Sequence, residues 1–517
     1  MRIERLSWIS LFGSSALIAL VTGGCGGSPG FTSQAVEVDT GHAQFLSLPF
    51  SPHSEQAQEA SEMAEELGGH FIWKAPLENG QPPPFGSAPS EQAGEPTATA
   101  TFVAAPGSAQ QAVNVSNAAD SYQGETGAAS NGTVLVGGSN SIYPGACGSN
   151  PCYVRAYTTT NGTSFTSSTI SGTWGGTTFG ITFDPAIDVD TSGNFYYVLG
   201  GAPLSGNYPN SIAVSKAGPT GLGWSTPVAV TFNTRTNFDD KYYIAVDRSS
   251  SAYRNRIYVG WDRNVSNNQI LYVSYSSNGG ASFSAPIKVD DGTTKFERVI
   301  GAYPAVDHNT GTVYMSWHNY SQNIIYVDRS TTGGSTWGTD VAAATTHTGF
   351  GIDIGCVGGR TQGPAHHLRV GPSGTLHLVY ADSIQGRGFD ILYTRSTNGG
   401  QTWSAPVRVN NDAGSADQFH PTLAVSSNGA GGDRVAVSFY DRRDDASNCL
   451  AHVYSTVSTD SGLTWSANTR LTTAASNFDG NSNGPGDYSS SATLGASTYP
   501  FHSDHSASNY EVYTAPF

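Results

Sequence analysis

Ionisable side chains recur at the starts of predicted strands from residue 125 onward. They are Glu125, Asp240, Lys241, His366, His420 and Asp487, the last followed by Tyr488. Charged residues make up only 12% of the sequence, so this repeated placement predicts a shared polar cleft. A carboxylate beside a phenol can activate that phenol as a nucleophile or a base. We therefore predict Glu125, Tyr488 and Asp240 as catalytic residues. The alternative is that these polar strand starts are hydrogen-bonded across a seam.

Cationic residues in predicted exposed loops near the same face could bind a substrate. Planar guanidinium groups form paired hydrogen bonds that match a carboxylate, and Arg263, Arg298 and Arg442 are candidate substrate-binding residues. The other candidate substrate-binding residues are Arg443, Lys241, His366, His420 and Asp487. The sequence thus predicts a cleft in which carboxylates and a tyrosine lie beside several cations.

A repeated eight-residue phrase marks the elements that must position these residues. It reads STDSGLTW at 458–465, STNGGQTW at 396–403, STTGGSTW at 330–337 and SSNGGASF at 276–283. Its closing aromatic residue falls at Phe165, Trp224, Phe283, Trp337, Trp403 and Trp465, at intervals of 54 to 66 residues. The sequence between the phrases is rich in Thr, Val, Tyr and Gly, which favours strands and turns. Such a period, with several short strands per unit, predicts an all-β propeller.

The number of repeating units predicts seven four-stranded blades. Seven strand–turn–strand segments are recognisable, from Glu125–Gly138 to Asp487–Phe501, against six copies of the phrase. The last unit lacks its fourth strand, and residues 109–126 align with 404–421, where a fourth strand is expected. A strand near Gln111–Ser116 would therefore complete the last blade and leave no open sheet edge. We predict a seven-bladed propeller over residues 108–517, with six blades as the alternative.

The repeated phrase resembles the Asp-box, or BNR repeat, of sialidase-like β-propellers. The family phrase is Ser-x-Asp-x-Gly-x-Thr-Trp, and it is matched at Ser458, Asp460, Gly462, Thr464 and Trp465. In that family the phrase is a structural turn between the third and fourth strands, away from the active face. The resemblance implies glycan binding, a three-arginine clamp on the substrate, and hydrolysis by a tyrosine paired with a glutamate and an aspartic acid.

Three interpretations of the activity follow. The chain lacks the family's Arg-Ile-Pro motif, and its predicted blade count differs from the six of sialidases. We expect a sialidase-like glycoside hydrolase, with a non-catalytic glycan- or protein-binding propeller and a polysaccharide lyase as the alternatives. A formal net charge of −16 argues against nucleic-acid binding. The expected partner is a glycan or glycoconjugate, and the expected state is a monomer.

The N-terminus predicts export. A basic start precedes an apolar run at 8–21 that is too short to span a bilayer. Thr22–Cys25 then resembles the lipobox of bacterial lipoproteins, in which the cysteine is lipidated. Residues 26–107, with a short acidic helix at Ser54–Leu67, are typical of a low-complexity tether. We expect residues 1–25 to be a signal peptide on an outer-membrane or cell-surface lipoprotein anchored through Cys25, with a secreted protein as the alternative.

Four further cysteines predict two disulfides in an exported chain. Bonded cysteines need neighbouring Cα atoms, and the predicted loop positions favour Cys147–Cys152 and Cys356–Cys449. We expect no metal cofactor. Asp188–Asn194 has the oxygen-rich composition of a calcium loop but lacks the closing glutamate. An ordinary turn is the preferred interpretation there, and structural calcium is the alternative.

Overall fold

The structure is a computed structural model, and the chain forms two compact units, residues 1–91 and 92–517. The residues described are four short N-terminal strands together with 112–116, 123–141, 151–203, 209–234, 237–265, 268–292, 298–349, 352–357, 365–384, 387–479, 484–506 and 510–517. The regular elements in these residues are all strands, which confirms the all-β prediction. Within the same residues no helix is long and apolar enough to cross a membrane.

The first unit contains one described sheet. In it β1 (Gln34–Asp39) pairs antiparallel with β2 (Gln44–Leu48) and, on its other edge, with β3 (His70–Ile72). Part of the segment predicted to be a tether therefore consists of paired strands. The predicted helix at Ser54–Leu67 and the predicted lipidation site at Cys25 lie outside the described residues.

The second unit is built from short strands. From the N-terminal side these are β4 (Thr101–Val103), β5 (Val113–Asn114), β6 (Gly124–Ser130), β7 (Leu135–Asn140), β8 (Arg155–Thr159), β9 (Thr166–Thr169), β10 (Thr173–Trp174), β11 (Thr177–Thr178), β12 (Ile181–Val189), β13 (Phe195–Ala202), β14 (Ser211–Ala217) and β15 (Val228–Ala229). The middle of the chain adds β16 (Asn237–Val246), β17 (Ile257–Val265), β18 (Asn268–Ser276), β19 (Ile287–Lys288), β20 (Val299–Val306), β21 (Val313–Asn319), β22 (Ile324–Ser330) and β23 (Val341–Thr345). The last are β24 (His366–Val370), β25 (Leu376–Ile384), β26 (Gly388–Ser396), β27 (Val407–Arg408), β28 (Gln418–Ser427), β29 (Asp433–Asp441), β30 (His452–Ser458), β31 (Thr464–Ser466), β32 (Thr469–Arg470), β33 (Ser490–Leu494), β34 (Ser497–Asp504) and β35 (Glu511–Thr514).

Most of these strands form antiparallel groups of four. Within the described residues there are seven such groups, namely β6–β9, β12–β15, β16–β19, β20–β23, β24–β27, β28–β30 with β32, and β33–β35 with β5. One parallel pair, Tyr242 with Ala302, joins the third and fourth groups into an eight-stranded sheet. Two short pairs, β10 with β11 and β4 with β31, lie outside the groups.

The first strand of each group, here called the inner strand, contacts the inner strand of the next group. These contacts run from β6 through β12, β16, β20, β24, β28 and β33, and β33 contacts β6 again. All the inner strands contribute side chains to a central cavity of about 450 Å³. Apolar residues fill the space between neighbouring groups, as Val136 and Tyr197 do between the first two. The starts of the inner strands are therefore a place where residues distant in sequence meet.

The repeated phrase forms a hydrogen-bonded turn before the fourth strand of a group. The Asp460 carboxylate accepts hydrogen bonds from the amide and the hydroxyl of Thr464 at 2.9 and 2.6 Å. Asn278 and Thr332 each accept the equivalent amide bond at 3.0 Å. Trp465, which ends one copy of the phrase, is fully buried. The prediction of a structural turn is confirmed, and asparagine or threonine can replace the aspartate because each offers an acceptor oxygen.

The N-terminal strand completes the last group, as predicted. In the antiparallel pairing of β5 with β35, Asn114 lies opposite Tyr513 and Val113 opposite Thr514. The Val115 amide extends this pairing with a 2.8 Å hydrogen bond to the Val512 carbonyl. The Val115 side chain is buried in an apolar cluster that includes Val512. Both ends of the second unit therefore meet in one sheet.

Replacing Val115 by aspartate should lower the free energy of unfolding of the second unit by about 3 kcal/mol or more, because an unpaired carboxylate would enter an apolar cluster. Leu222 is 41% exposed, so Leu222→Asp is the matched control, with an expected change within about 0.5 kcal/mol. Urea unfolding followed by tryptophan fluorescence measures both. Equal stability of the two variants would contradict closure through Val115.

Candidate functional site

The inner strands begin with a repeated backbone distortion. Four non-glycine residues there have positive φ angles, namely Glu125 (49°), Asp184 (53°), Lys241 (42°) and His420 (46°). The pairing of each strand with its neighbour shifts register at the same place. Such conformations are uncommon for residues with a Cβ atom, and they concentrate at functional sites. The strain marks this end of the ring as the candidate site.

Three of these residues meet in what we call the carboxyl–lysine cluster, defined as Glu125, Asp184, Lys241 and Asp487. The Lys241 Nζ lies 2.8 Å from Asp487 Oδ2, 3.4 Å from Asp184 Oδ2 and 3.9 Å from Glu125 Oε1. The side chains of Glu125 and Asp184 are 4% exposed, and that of Asp487 is 14% exposed. The structure thus brings together the predicted site residues Glu125, Lys241 and Asp487 with Asp184, which lies at the equivalent place on β12.

Hydrogen bonds hold the two most buried carboxyl groups in place. Asn140 donates from Nδ2 to Glu125, and its Oδ1 accepts from the Asp184 amide at 2.6 Å. The Asp487 amide donates to Glu125 Oε1 at 3.1 Å. The side chains of Glu125 and Asp184 are also hydrogen-bonded to each other. A hydrogen bond between two carboxyl groups requires a proton on one of them.

The charge state of the cluster follows from its burial and its mutual contacts. Burial raises the pKa of Asp184 well above its usual value; Lys241 opposes this shift, and Glu125 adds to it. We therefore place the shared proton on Asp184. Burial alone would lower the pKa of Lys241, but the surrounding carboxyl groups outweigh burial and raise it well above its usual value. Burial thus favours the protonated form of Asp184, and the carboxyl groups around Lys241 favour its charged form.

Asp262, on β17, is a further acidic group at this end. It is 1% exposed and lies opposite Asp240 in the pairing of β16 with β17. Burial raises its pKa well above the usual value and Asp240 raises it further, while Lys241 and a bond to the Gly301 backbone lower it. Burial thus favours the protonated form of Asp262. Asp240, predicted as catalytic, is half-buried and influences the pKa of both Asp262 and Asp184.

Tyr488 lies beside the cluster, on the side of the central cavity. Its ring centroid is 5.9 Å from Lys241 Nζ and 5.6 Å from that of Tyr243, which is 4.5 Å from the Tyr303 centroid. We call Tyr243, Tyr303 and Tyr488 the tyrosine layer. Burial raises the pKa of Tyr488 well above its usual value, and the carboxyl groups of Asp184 and Glu125 raise it further. This environment keeps the phenol protonated and opposes the predicted activation of Tyr488 by Glu125.

Arg442 does not lie in an exposed loop, so that expectation is wrong. Its side chain is fully buried. The guanidinium donates to the carbonyl oxygens of Ile354 and Gly355 at 2.9 and 2.8 Å, and it lies 3.3 Å from the Asp417 carboxylate. The two carbonyl partners are backbone atoms, and the sequence gives no means of identifying them. Arg442 therefore stabilises the 352–357 segment.

The other candidate arginines are also engaged by protein groups. Arg263 donates to both carboxylate oxygens of Asp239, at 2.6 and 2.9 Å. Arg443 donates to Asp441 at 2.8 Å and to two asparagine side chains, and Arg298 contacts a tyrosine hydroxyl. Among the described residues these guanidinium groups thus belong to separate networks. The arrangement does not assemble the expected three-arginine clamp.

The predicted binding histidines are buried. The His366 Nε2 lies 3.1 Å from the Ser316 hydroxyl, and the His420 ring packs against the rings of Phe419 and Tyr440. Because both side chains are buried, each contacts protein atoms and has little access to solvent. The two histidines therefore support the walls of the site.

Replacing His318 by glutamine should weaken the pH dependence of stability. Burial, with a smaller effect of His366, lowers the pKa of His318 to about 3, while its Nε2 lies 3.2 Å from the Thr346 hydroxyl. Between pH 6.5 and 3 the unfolded chain binds a proton that the folded chain does not, so this histidine costs stability as the pH falls. Relative to His318→Gln, the wild type should lose about 2 kcal/mol between pH 7 and 5. Urea unfolding at both pH values measures this, and parallel pH dependences would contradict it.

The disulfide prediction is confirmed for Cys356 and Cys449. The two residues are bonded, with Cα atoms 5.2 Å apart. The bond joins the segment that Arg442 stabilises to the loop after β29. Cys152 is also disulfide-bonded, and Cys147 lies outside the described residues.

The possible calcium loop is a hydrogen-bonded turn. The Asp190 carboxylate accepts from the Ser192 and Asn194 amides at 2.8 and 2.9 Å and from the Tyr196 hydroxyl at 3.0 Å. The Asp190 carboxylate thus stabilises the turn through local hydrogen bonds. Across the described ranges no group of three or more His, Cys, Asp or Glu side chains is placed to hold a metal ion.

Solved structures that are similar over most of the chain include the following three. An ulvan lyase of polysaccharide lyase family PL25 is 12% identical with a TM-score of 0.44, over 82% of this chain and 96% of its own. The intramolecular trans-sialidase from Ruminococcus gnavus is 12% identical with a TM-score of 0.39, over 78% and 96%. An α-L-arabinofuranosidase from Fusarium graminearum is 10% identical with a TM-score of 0.42, over 80% and 98%.

No protein-family model and no curated protein sequence matches the chain. At these identities and TM-scores the three likenesses do not show an activity.

Proposed function

We propose that the second unit is a seven-bladed β-propeller that hydrolyses glycosidic bonds at the carboxyl–lysine cluster. The seven groups of four strands, the closed sequence of inner-strand contacts and the pairing of β5 with β35 support the blade count. Six blades would leave one of these groups unassigned.

One observation carries the catalytic proposal: Asp184 is hydrogen-bonded to Glu125, within 4 Å of a lysine that also pairs with Asp487. Glycoside hydrolysis needs one carboxyl group that is protonated and another that is ionised. Such a pair arises where the surroundings raise the pKa of one carboxyl group relative to that of its neighbour. Here burial keeps the proton on Asp184, and Lys241 stabilises the ionised Asp487.

The roles follow from protonation state and exposure. Asp184 is the proton donor to the leaving oxygen, directly or through Glu125, which shares its hydrogen bond. Asp487 is the most exposed carboxylate of the cluster, and it stabilises the developing positive charge on the sugar or activates a water molecule. Lys241 keeps Asp487 ionised. Asp262 supplies a second proton at the same end of the inner strands.

The charge of the cluster favours neutral sugars. A sialic acid or uronic acid requires a cation for its carboxylate, and the candidate arginines are engaged by protein groups. Lys241 is already surrounded by carboxyl groups. An anionic sugar would therefore be repelled. The proposal thus departs from a sialidase in its substrate class.

The second candidate function is glycan binding without hydrolysis. It is favoured by the low exposure of Glu125 and Asp184, both 4%, because buried carboxyl groups reach a bound sugar less easily. Under this interpretation Asp487 and Asp240 are hydrogen-bond acceptors for sugar hydroxyls.

The test is hydrolysis of chromogenic glycosides of neutral sugars and of sialic acid by the purified full chain. We expect release from a neutral sugar, a loss of about 100-fold or more in kcat/KM for Asp184→Asn, and no change for the exposed control Asp291→Asn. Because Asp184 must be protonated, activity should fall as the pH rises through its pKa. Cleavage of the sialoside alone would overturn the neutral-sugar proposal. Glycan-array binding without any cleavage would select the second candidate.

Export and lipid anchoring at Cys25 are also part of the proposal. They are supported by the basic start, the apolar run and the small residues before that cysteine. Metabolic labelling with a fatty-acid analogue should mark the wild type, whereas Cys25→Ser should be unlabelled. Equal labelling of both would refute the anchor.

A further inference from the structure

The central cavity lies at the other end of the inner strands from the carboxyl–lysine cluster. On β16, Lys241 comes first, Tyr243 follows in the tyrosine layer, and Ile244–Val246 line the cavity. On β20 the same order places Tyr303 before Pro304–Val306. The tyrosine layer therefore comes between the cluster and the cavity along the strands.

The cavity has the size and lining of a small-molecule site. Its volume is about 450 Å³, within the range of ligand pockets in proteins. Its walls combine aliphatic side chains, with Ile187, Val306 and Val425 among them, and polar groups in similar proportion. The exposed residues Asn309 and Pro372 line its far end, so the cavity is open to solvent at the ends of the inner strands.

Two arginines and one aspartate line this cavity. Arg248 is 2.7 Å from the Asp188 carboxylate, so these two charges neutralise each other. Arg369, on β24, has no carboxylate within 4 Å among the described residues. The cavity therefore carries one uncompensated positive charge.

The guanidinium of Arg369 is held in position by contacts that engage only some of its five N–H donors. It donates to the Leu368 carbonyl at 3.2 Å, and its central carbon lies 4.8 Å from the Tyr303 ring centroid. The side chain is half-buried and lines both the central cavity and the small space at the tyrosine layer. The hydroxyls of Ser491 and Thr493, in the same wall, have no hydrogen-bond partner in the described part of the chain.

We propose that the central cavity binds a small organic carboxylate with an aliphatic body, with the carboxylate on Arg369. A guanidinium matches a carboxylate in plane and in hydrogen-bond spacing. A single uncompensated charge suits a monoanion, and the aliphatic walls suit a hydrocarbon body. This site is distinct from the carboxyl–lysine cluster, and it stands whether or not the cluster is catalytic.

Octanoate is the probe, titrated into the full chain by isothermal calorimetry with octylamine, octanol and inorganic phosphate in parallel. We expect octanoate to bind with a Kd below about 1 mM, and each of the other three to bind at least tenfold more weakly. Equal binding of octylamine or octanol would overturn the role of the positive charge. Equal binding of phosphate would overturn the role of the aliphatic walls, and no octanoate binding at about 10 mM would overturn the site itself.

Variants locate the binding. Arg369→Met should weaken octanoate binding at least tenfold, and Arg369→Lys, which keeps the charge, should weaken it less. Arg329 is exposed, so Arg329→Met makes the same change elsewhere and should bind as the wild type does. Unchanged binding by Arg369→Met would overturn the assignment to Arg369. If that variant fails to fold, the comparison of the four probes on the wild type tests the proposal by itself.

Discussion

Replacing Lys241 by methionine should lower the free energy of unfolding of the second unit by about 3–5 kcal/mol at pH 7. Removing one partner of a buried charged network leaves the remaining charges uncompensated. Lys241 is the cation that contacts Asp487 and Asp184, at 2.8 and 3.4 Å. Methionine keeps most of the aliphatic length of lysine, so the loss reports the missing charge. Urea unfolding of the full chain measures it.

The destabilisation should shrink as the pH falls. Lys241 lowers the pKa of the buried Asp184 in the wild type, so without Lys241 this pKa lies still further above that of the unfolded chain. The folded variant then binds a proton that its unfolded state does not over a wider pH range, so its stability rises relative to the wild type as the pH decreases toward 5.

Lys288 provides the matched control. Its side chain is 40% exposed and lies 3.0 Å from Asp290, whose side chain is 4% exposed, so Lys288→Met removes a solvated lysine from one carboxylate and should cost less than Lys241→Met. If Lys241→Met is no more destabilised than Lys288→Met, the carboxyl–lysine cluster is not held together by its lysine.

Local sequence patterns were sufficient for much of the fold. The turn at Asp460 depends on hydrogen bonds to residues within four positions, so the phrase itself contains the information. The pairing of β5 with β35 was predictable because a repeat that lacks one strand must obtain it elsewhere. The Cys356–Cys449 bond was predictable because the same count of units places the two cysteines in neighbouring loops.

The candidate site was predictable in position but only partly in chemistry. Glu125, Lys241 and Asp487 converge because they occupy equivalent places at the starts of inner strands. Asp184 occupies the same place, and the positive φ angles that mark it are visible only in the structure. The protonation of Asp184 depends on burial by residues from other groups, which a linear pattern does not contain.

The role of Arg442 is the clearest failure of sequence reasoning. A run of two arginines and two aspartates is typical of a solvated loop, and that composition suggested exposure. The neighbours that bury Arg442 are backbone carbonyls of a segment almost 90 residues earlier in the chain. Sequence identifies a side chain that can donate five hydrogen bonds, but its acceptors are fixed by tertiary structure.

Replacing Arg442 by methionine should therefore lower the free energy of unfolding by about 3–5 kcal/mol, because it removes the cation beside the Asp417 carboxylate and the guanidinium that donates to the Ile354 and Gly355 carbonyls. The Cys356–Cys449 bond keeps the segment covalently attached, so its local order should be lost before the rest of the fold. Hydrogen exchange at 352–357 and urea unfolding measure the two effects.

A surface arginine in the same group of strands separates this role from a general effect of charge. Arg470 is 48% exposed and lies 3.3 Å from Asp444, so Arg470→Met should cost at most about 1 kcal/mol. The free energy of unfolding of Arg442→Lys should lie between those of the two methionine variants. An ammonium group keeps the charge, but it cannot reach the carbonyls and Asp417 with the geometry of a guanidinium. If Arg442→Met instead matches Arg470→Met in stability and leaves exchange at 352–357 unchanged, the buried contacts of Arg442 do not support that segment, and its expected place in an exposed, substrate-facing loop would have to be reconsidered.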